Sequence, residues 1–286
     1  MKVSIVVPSY QQGCLVRETL DSLLSQDYGT IEVLVFDGAS TDGTVEILES
    51  YGDKIQYVSR KDHGRADAIN QGLQRASGDI LAYLNCGDIY FPGAIGRVIR
   101  HFTENPRSLC VYGRAWQLGK DGSKMERIDS EPWSYPHLLE TCYFCQPAVF
   151  WRREVMERVG VFDDTLHWAM DYDYWLRVGR SIPFDFLEDA LLAGSRSQGK
   201  ARTLSERVQA HEEILDVVMR HSPQPPYPWL LKLARLIVEA EQSKRLSLRT
   251  KEEDDKALVI QAALDRADFH GIPVNGELLN TFKEWL

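Results

Sequence analysis

The fold of this chain is indicated above all by one stretch, Ile80-Leu81-Ala82-Tyr83-Leu84-Asn85-Cys86-Gly87-Asp88. Its apolar residues are typical of a buried strand, and an amide, a glycine and a carboxylate follow them. Two earlier apolar segments also run into turn residues: residues 33–36 into Asp37-Gly38-Ala39-Ser40, and residues 3–7 into Pro8-Ser9-Tyr10. Ligands of open α/β sheets bind beyond the carboxyl ends of the strands. We therefore predict one composite pocket at these ends, with a metal ion and a diphosphate near Asp88.

Helical patterns alternate with these apolar segments, near residues 15–26, 44–50, 65–76 and 92–102. This alternation predicts an α/β fold with a mostly parallel sheet and helices on both faces. After residue 102 the pattern is mixed, with a hairpin around residues 119–123, strands near 148–151 and 184–187, and helices near 153–159 and 172–180. The polar and basic residues 195–202 indicate a mobile loop.

The chain of 286 residues is long enough for one large α/β domain with an appendage. The prolines of residues 222–228 forbid a helix and favour an extended linker. We therefore expect a main domain at residues 1–220 and a C-terminal helical extension at 221–286. Residues 229–240 are amphipathic, with Lys232 and Arg235. This helix could pack on the core, dimerise or lie on an anionic membrane surface, and packing is the favoured alternative.

Composition excludes some classes of protein. A net charge of −9 and a pI of about 5.3 argue against general nucleic-acid binding, which usually leaves a basic footprint. Five cysteines, an odd number without small-domain spacing, fit thiols in a reducing compartment, and Cys142 and Cys145 fit a buried pair better than a redox or metal site. The start lacks a leader pattern, and no run approaches the ~20 apolar residues of a membrane span. We expect a cytoplasmic protein that can lie peripherally at the inner face of the membrane.

Carboxylates at the strand ends are candidate metal ligands. Asp37 and Asp88 follow different strands, and right-handed crossovers tend to bring such ends to one edge of the sheet. Carboxylate oxygens together with substrate phosphates suit Mg²⁺ or Mn²⁺. Any single Asp-Gly of this kind could instead be a turn or a helix cap.

A second candidate stretch is the polar loop of residues 61–64, which leads directly into a predicted helix. Amides and the dipole at a helix N-terminus favour anions, so Arg65 could meet a phosphate. The alternative is a solvated loop with Asp62 as a cap. Asn70 lies within the helical pattern, where its side-chain amide competes with backbone hydrogen bonds, and propensity does not explain it.

A third stretch, residues 162–177, places Asp171 near a predicted helix start and Asp173 two residues later. A carboxylate fixed there could accept a proton from an attacking hydroxyl. Helix capping is an equally weighted alternative for Asp171.

In their joint order these motifs resemble the family 2 glycosyltransferases, over roughly residues 1–200. The opening residues 3–10 look like the family's first strand and nucleotide-pocket loop. Residues 37–44 are similar to its second-strand motif, whose first aspartate contacts the nucleoside. Asp62-His63-Gly64 with residues 67–72 resembles the subgroup that builds bacterial surface polysaccharides, which implies that this loop lies beside the donor.

The remaining motifs of the resemblance include departures from the family pattern, among them Met170 in place of an acidic residue before the base. Asn85-Cys86-Gly87-Asp88 is similar to the family's metal-binding Asp-x-Asp segment, with Gly87 where members often have a further carboxylate. Residues 170–177 resemble the base motif and put Asp171 at the base position, and Cys145-Gln146-Pro147 looks like the Gln-Pro motif. Arg196-Ser197-Gln198 lies where relatives tend to have Arg-x-His, which bears on donor-phosphate contacts.

The resemblance implies a GT-A fold and an inverting, hexosyltransferase-type enzyme of polysaccharide biosynthesis. It implies a nucleotide-sugar donor, UDP-sugar by preference, a glycan or lipid-linked saccharide acceptor, and Mn²⁺ or Mg²⁺. The implied base is Asp171 and the implied metal ligand Asp88. The residues expected at the donor nucleotide are Pro8, Ser9, Tyr10, Asp37, Ala39, Asp62, Arg65, Asn70, Asn85 and Gly87. Those expected at the acceptor or donor sugar are Gln146, Trp168 and Asp173.

Other functions fit the sequence less well than this one. A catalytically silent nucleotide-sugar-binding or assembly protein on the same fold is an open alternative, because Gly87 and the Arg196–Gln198 loop depart from the family pattern. A nicotinamide dehydrogenase is disfavoured, because no Gly-x-Gly-x-x-Gly turn follows the first strand.

Overall fold

A computed structural model of the chain describes residues 1–196, 203–222, 226–244, 252–274, 280 and 282. It divides into two compact units. The first unit is made of Met1–Tyr135 and Tyr143–Gly199, and the second of Pro136–Cys142 and Lys200–Leu286.

The strands of the first unit are β1 (Val3–Ser9), β2 (Ile31–Asp37), β3 (Gln56–Ser59), β4 (Ile80–Tyr83), β5 (Ile89–Tyr90), β6 (Cys110–Leu118), β7 (Lys124–Ile128), β8 (Val149–Arg152) and β9 (Phe184–Arg196). Its helices are α1 (Gly13–Leu24), α2 (Thr44–Glu49), α3 (Arg65–Arg75), α4 (Ala94–Glu104), α6 (Arg153–Val159) and α7 (Met170–Gly179), and α5 (Tyr135–Glu140) begins at its edge.

The described strands form one sheet in the order β3-β2-β1-β4-β8-β6-β9-β5, with β7 paired to β6. The first four strands run parallel to one another. The second half of the sheet is mixed: β8 is antiparallel to β4 and β6, β9 is parallel to β6, and β5 is antiparallel to β9. The carboxyl ends of β1, β2 and β4 therefore meet at one edge, as the sequence predicts.

The parallel half is covered on both faces. Every residue of β1 and β4 is buried, which is why these strands read as continuous apolar runs rather than as alternating ones. Helix α3 lies close to this half because Gly72 carries no side chain: a Cβ there would stand 2.4 Å from a methyl group of Val6. This close packing brings the first turn of α3 to the strand ends.

Several elements differ from the sequence predictions. Strand β3 is largely exposed and β5 has only two residues, so neither shows the apolar pattern of a strand. Both exist through pairing, β3 with β2 and β5 with β9. Strand β9 continues to Arg196, so Ser195 and Arg196 belong to a strand instead of the mobile loop expected there. The rest of that loop, residues 197–202, lies outside the described residues.

The second unit contains α8 (Leu204–His221), α9 (Tyr227–Lys244) and α10 (Glu252–Phe269). Helix α9 packs against both α8 and α10, and Leu230, Leu233 and Ala234 are fully buried. The Trp229 indole N–H donates to the Leu139 carbonyl (3.1 Å), which ties residues 136–142 to α9. These contacts agree with the packed alternative for this helix.

The contacts divide the chain near Lys200, whereas the prolines led us to expect a boundary near residue 220. The reason is that α8 packs on α9. In addition, Arg266 of α10 forms an ion pair with Glu212 of α8 (3.0 Å). The proline-rich segment thus separates two helices of one compact unit. That residues 1–220 fold as an independent domain stays a prediction.

None of the helices that the structure describes is long and apolar enough to cross a membrane.

A polar network at the amino ends of the parallel strands joins β1 to β2. The Glu32 carboxylate accepts hydrogen bonds from the Lys2 ammonium (2.7 Å), the Ser4 hydroxyl (2.5 Å), and the Ser77 N–H (2.8 Å) and hydroxyl (2.7 Å). Burial raises the pKa of Glu32, but these donors outweigh it and lower the pKa from 4.5 to about 2. The charged carboxylate therefore stabilises the fold at neutral pH.

We expect Glu32→Gln to lower the free energy of unfolding at pH 7 by about 1–3 kcal/mol, because buried donors lose their charged acceptor. The folded pKa of Glu32 is depressed, so its contribution is present above pH 4.5 and is lost as the pH falls toward about 2. Urea unfolding followed by tryptophan fluorescence should show the gap between wild type and variant closing in that range. Glu49→Gln, at an exposed position, is the control. A gap that does not change between pH 7 and pH 2 would contradict the role of the charge.

Candidate active site

A cavity of about 480 Å³ opens beyond the carboxyl ends of β1, β2 and β4. It is lined by the end of β1 and residues that follow β1, β2 and β4, by the loop before α3 and the start of α3, and by one residue before α7: Pro8, Ser9, Tyr10, Gln12, Gly38, Lys61, Asp62, Gly64, Arg65, Ala68, Asn85, Cys86 and His167. The structure therefore brings together six of the residues expected at a donor nucleotide, namely Pro8, Ser9, Tyr10, Asp62, Arg65 and Asn85.

The charge of the lining favours an anionic ligand. The lining contains two cationic side chains, Lys61 and Arg65, and one carboxylate, Asp62, although the whole chain has a net charge of −9. The first turn of α3 also lines the cavity, and its N-cap, Gly64, provides no side-chain cap. Free amides and the helix dipole attract anions at such an end. Asp62 accepts a hydrogen bond from the Gly64 N–H (3.0 Å). Asp62 therefore makes a local hydrogen bond of the kind expected from the structural alternative, and it also lines the cavity.

The carboxylate of Asp88 is buried, with 3% of the residue exposed. The Arg196 N–H donates to one oxygen (2.7 Å), and the Asn85 amide donates to the other (3.3 Å). Burial raises the pKa of Asp88 to about 7, although the Arg196 and Asn85 hydrogen bonds and the charge of Arg65 act in the opposite direction. The protein alone therefore supplies less stabilisation than the charged form needs, and a cation would supply the rest.

The backbone before Asp88 is fixed by helix α1. The Thr19 hydroxyl accepts the Gly87 N–H (2.8 Å) and donates to the Asp88 carbonyl (2.8 Å). Gly87 has φ +94°, and a Cβ there would lie 3.2 Å from the Leu15 side chain. A second carboxylate at this position would be strained. The local geometry thus explains the departure of Gly87 from the family pattern.

The donor set around Asp88 fits a hard divalent cation. The side-chain oxygen of Asn85 is buried without a hydrogen-bond partner among the described residues, while its nitrogen bonds Asp88 and Gln146 (2.9 Å). Within the described ranges, no group of three or more His, Cys, Asp or Glu side chains could hold a metal. One carboxylate and one amide oxygen suit Mg²⁺ or Mn²⁺, which take their other ligands from water and phosphates, and do not suit zinc.

Asp171 is the second residue of α7 and is half-buried. One of its oxygens accepts the Tyr172 N–H (2.9 Å). Asp171 and Asp88 act on the same group, the Tyr83 hydroxyl at the end of β4. Burial, then the charge of Asp171, then that of Asp88 raise the pKa of Tyr83 well above 10, and Arg65 opposes them. The charges of two carboxylates that are distant in sequence therefore both reach one buried hydroxyl, although neither Asp88 nor Asp171 is among the residues that line the cavity.

Gln146 holds the carboxyl end of β4 through two hydrogen bonds. Its amide donates to the Tyr83 carbonyl (2.9 Å), and its oxygen accepts from Asn85 (2.9 Å). The Gln-Pro segment thus braces β4 and does not line the cavity. A contact of Gln146 with sugar stays a prediction.

Two residues of the second-strand motif, Asp37 and Ala39, flank Gly38, which lines the cavity. Asp37 is buried and accepts from the Ser40 N–H (2.9 Å), the Ser40 hydroxyl (2.5 Å) and the Ser59 hydroxyl (2.6 Å). Ala39 has φ +62° within this turn. Neither residue lines the cavity, and their part in nucleoside binding stays a prediction.

Three further candidates lie away from the lining. The Asn70 amide donates to the Phe162 carbonyl (2.9 Å) and accepts its N–H (3.0 Å), so this mid-helix asparagine ties α3 to the segment before α7. Asp173 is 3% exposed and pairs with Arg177 (2.7 Å). Trp168 stands edge-on to His167, with ring centres 4.5 Å apart. Roles of these three at donor or sugar stay predictions, and Asn70 and Asp173 have clear structural roles.

The lining also contains residues that we did not expect: Gln12, Gly38, Lys61, Gly64, Ala68, Cys86 and His167. Gly38, Lys61, Gly64 and Cys86 each adjoin a residue expected at the donor nucleotide, and His167 adjoins Trp168, so neighbourhood in the sequence was an available signal for these five. The segment before α7 packs against β4 and α3 through Phe162, whose ring centre lies 5.4 Å from that of Tyr83 and whose backbone bonds Asn70, and no local pattern reveals this packing.

Comparison with known proteins gives related glycosyltransferases. The chain is 28% identical over 231 residues to an uncharacterized glycosyltransferase of Rickettsia felis, covering 76% of this chain and 37% of that relative, so it spans little more than a third of that protein. S. aureus TarS 1-349, solved in complex with UDP-GlcNAc, has a TM-score of 0.60 at 19% identity, with coverage of 94% of this chain and 83% of that one.

A second solved structure agrees with the first. The mannosyltransferase PcManGT of Pyrobaculum calidifontis, in complex with GDP-Man and Mn²⁺, has a TM-score of 0.61 at 20% identity, with coverage of 99% of this chain and 82% of that one. These likenesses confirm the predicted α/β fold of the GT-A type with C-terminal helices. The model of the family described as Glycosyl transferase family 2 matches residues 4–178. Because this match covers more than half of the chain, the protein belongs to the family 2 glycosyltransferases.

Proposed function

We propose that the protein is an inverting, hexosyltransferase-type enzyme that transfers a sugar from a nucleoside-diphosphate donor, by preference a UDP-sugar, to a hydroxyl of a glycan or lipid-linked saccharide. The observation that carries this proposal is the cavity, where Lys61, Arg65 and the N-terminus of α3 adjoin the strand end on which Asp88 and Asp171 act. Family membership supports the reaction class. The UDP-GlcNAc bound to TarS, and the GDP-Man and Mn²⁺ bound to PcManGT, support a nucleotide-sugar donor and a divalent ion.

The lining divides by chemistry among the parts of such a donor. Tyr10, 61% exposed at the cavity, offers a ring on which a nucleobase can stack. Ser9 and Asp62 offer oxygens to the ribose hydroxyls. Lys61, Arg65 and the amides that begin α3 offer positive charge to the diphosphate.

The proposed step is a single displacement. Asp171 takes the proton of an acceptor hydroxyl as its oxygen attacks the anomeric carbon from the face opposite the diphosphate. The bond from that carbon to the diphosphate oxygen breaks, and its electron pair stays on the diphosphate. Lys61, Arg65 and α3 stabilise this negative charge. Attack from the opposite face inverts the anomeric centre.

Asp88 and the unpaired oxygen of Asn85 are the residues that would hold Mn²⁺ or Mg²⁺. Such an ion supplies Lewis-acid stabilisation of the leaving diphosphate. Gln146, Trp168 and Asp173 are kept as candidates around the sugar, with Gln146 acting on the site also through Tyr83 and Asn85.

The same proposal gives the protein a place in polysaccharide biosynthesis. A lipid-linked acceptor would draw a cytoplasmic enzyme to the inner face of the membrane as a peripheral protein. A homodimer formed through the C-terminal helices is part of the same proposal.

Donor hydrolysis tests the proposed function against the silent binding protein. UDP-, GDP- and dTDP-sugars are first screened by thermal shift with Mn²⁺, because a ligand of the native state raises the apparent stability. The stabilising donor is then incubated with the protein, with Mn²⁺ or with EDTA. Metal-dependent release of nucleotide is expected. Stable binding without release, with and without saccharide acceptors, would favour the silent binding protein.

Asp171→Asn should lower the rate of transfer by about 10²–10⁴-fold, because the variant cannot take the acceptor proton. Binding of UDP with Mn²⁺, measured by calorimetry, should stay within a few-fold of wild type. Asp164→Asn, the same change at an exposed position before α7, is the matched control and should keep full activity. Equal loss of donor binding and transfer would show that Asp171 shapes the donor site instead of acting as the base.

Asp88→Asn should abolish metal-dependent activity and yet stabilise the metal-free protein at pH 8. The pKa of Asp88 in the folded protein, about 7, is above its ordinary value of 3.8. The free energy of unfolding of the wild type therefore falls as the pH rises from about 3.8 to about 7. Asparagine resembles the protonated acid, and we expect a gain of roughly 1 kcal/mol or more. Urea unfolding with EDTA measures it, and the gain should shrink toward pH 4. A variant less stable than wild type at pH 8 would identify Asp88 as a structural acceptor.

A further inference from the structure

The side chain of Arg196 is buried at the end of β9, with 5% of it exposed. Each of its three nitrogens donates to a different segment. Nε bonds the Gly87 carbonyl (3.1 Å), one terminal nitrogen bonds the Lys120 carbonyl (2.7 Å), and the other forms an ion pair with Glu18 of α1 (2.5 Å). The fork thus joins the loop that carries Asp88, the turn between β6 and β7, and the first helix.

The backbone of the same residue holds Asp88 directly. The Arg196 N–H donates to a carboxylate oxygen of Asp88 (2.7 Å), and the pairing of Ile89 with Gly194 brings β9 alongside this loop. The position of that N–H depends on where the side chain fixes the end of β9. Asp88 is therefore oriented by a residue 108 positions later in the chain.

We propose that Arg196 is a positioning residue, which sets the orientation of the Asp88 carboxylate for a divalent cation and does not itself bind the donor phosphates. The inference rests on the proposed function, since it assigns the cation to Asp88. The guanidinium is nearly inaccessible, and its three nitrogens already bond protein acceptors. A contact with phosphate would require it to leave this network.

An arginine suits this role because its planar fork fixes three directions at once, whereas a lysine is a flexible point charge. Changes in groups that orient a metal ligand typically weaken metal binding by about 10–100-fold. Loss of the fork should therefore act on the metal, and only through the metal on the nucleotide.

The test measures Mn²⁺ binding by the full chain, read from the paramagnetic resonance signal of free Mn²⁺, with UDP held constant. Arg196→Met should weaken Mn²⁺ binding by roughly 10–100-fold. Arg196→Lys, which keeps the charge near Glu18, should have a smaller effect of the same kind. At saturating Mn²⁺ the affinity for UDP should match that of wild type in both variants.

Arg152→Met is the matched control. Arg152 also donates to two backbone carbonyls, those of Ser108 (2.7 Å) and Phe102 (2.8 Å), but it pairs with Ile80 at the amino end of β4. This variant should lower the melting temperature as much as Arg196→Met and leave Mn²⁺ binding unchanged. Equal Mn²⁺ binding in wild type and Arg196→Lys would overturn the proposal. This comparison decides the matter even if Arg196→Met does not fold. A loss of UDP affinity that persists at saturating Mn²⁺ would also overturn the proposal, and it would assign Arg196 to the phosphates.

Hydrogen exchange separates this inference from the proposed function. Without metal, the amide of Gly87, which donates to Thr19, should exchange faster in either Arg196 variant than in Arg152→Met. If the wild type does not bind UDP with Mn²⁺, the metal assignment fails, and faster exchange would still support the positioning of the loop. Unchanged exchange together with unchanged Mn²⁺ binding would reject the role of Arg196 altogether.

Discussion

The site at the carboxyl ends of the parallel strands depends on one buried carboxylate, that of Asp88, whose charge the surrounding groups stabilise only in part. Burial disfavours the charged form by enough to bring its pKa to about 7, so the surrounding structure must hold a group that the interior does not favour. Thr19 fixes the backbone on one side and the Arg196 N–H holds an oxygen on the other. A buried charge that is only partly compensated is typical of a site where a ligand supplies the missing charge.

A buried carboxylate lies at each end of the parallel strands, and the two differ in how fully hydrogen-bond donors stabilise the charge. At the amino ends Glu32 is also a buried carboxylate, but Lys2, Ser4 and Ser77 satisfy it so fully that its pKa falls to about 2. At the carboxyl ends the donors are fewer, and Asn85 keeps an oxygen without a partner among the described residues. A buried carboxylate thus stabilises the sheet at one end, and at the other end a buried carboxylate lies beside an unpaired amide oxygen that leaves binding capacity.

Glycines decide how closely the elements around the cavity approach one another. Gly72 lets α3 lie against β1, which brings Arg65 and the helix N-terminus to the strand ends. Gly87 adopts a positive φ next to Leu15, and this leaves room for one carboxylate, Asp88, where the resemblance led us to compare a motif with two. The departure from the family pattern is therefore a consequence of how α1 and β9 enclose this loop.

Local patterns in the sequence were enough to predict the α/β class and the strand ends that form the cavity, because apolar periodicity and turn residues are local signals. The resemblance in the joint order of the motifs predicted the family. Which polar groups line the cavity depends instead on contacts between elements that are far apart in the chain. Asn70 bonds the backbone of Phe162 and Asp173 pairs with Arg177, contacts that the sequence pattern did not predict, and the roles of both residues at donor or sugar stay predictions. His167 and Arg196 reach the site through helix packing and strand pairing. A side chain's role depends on which partners satisfy it, and several of those partners, such as Phe162 for Asn70 and Arg196 for Asp88, are distant in sequence.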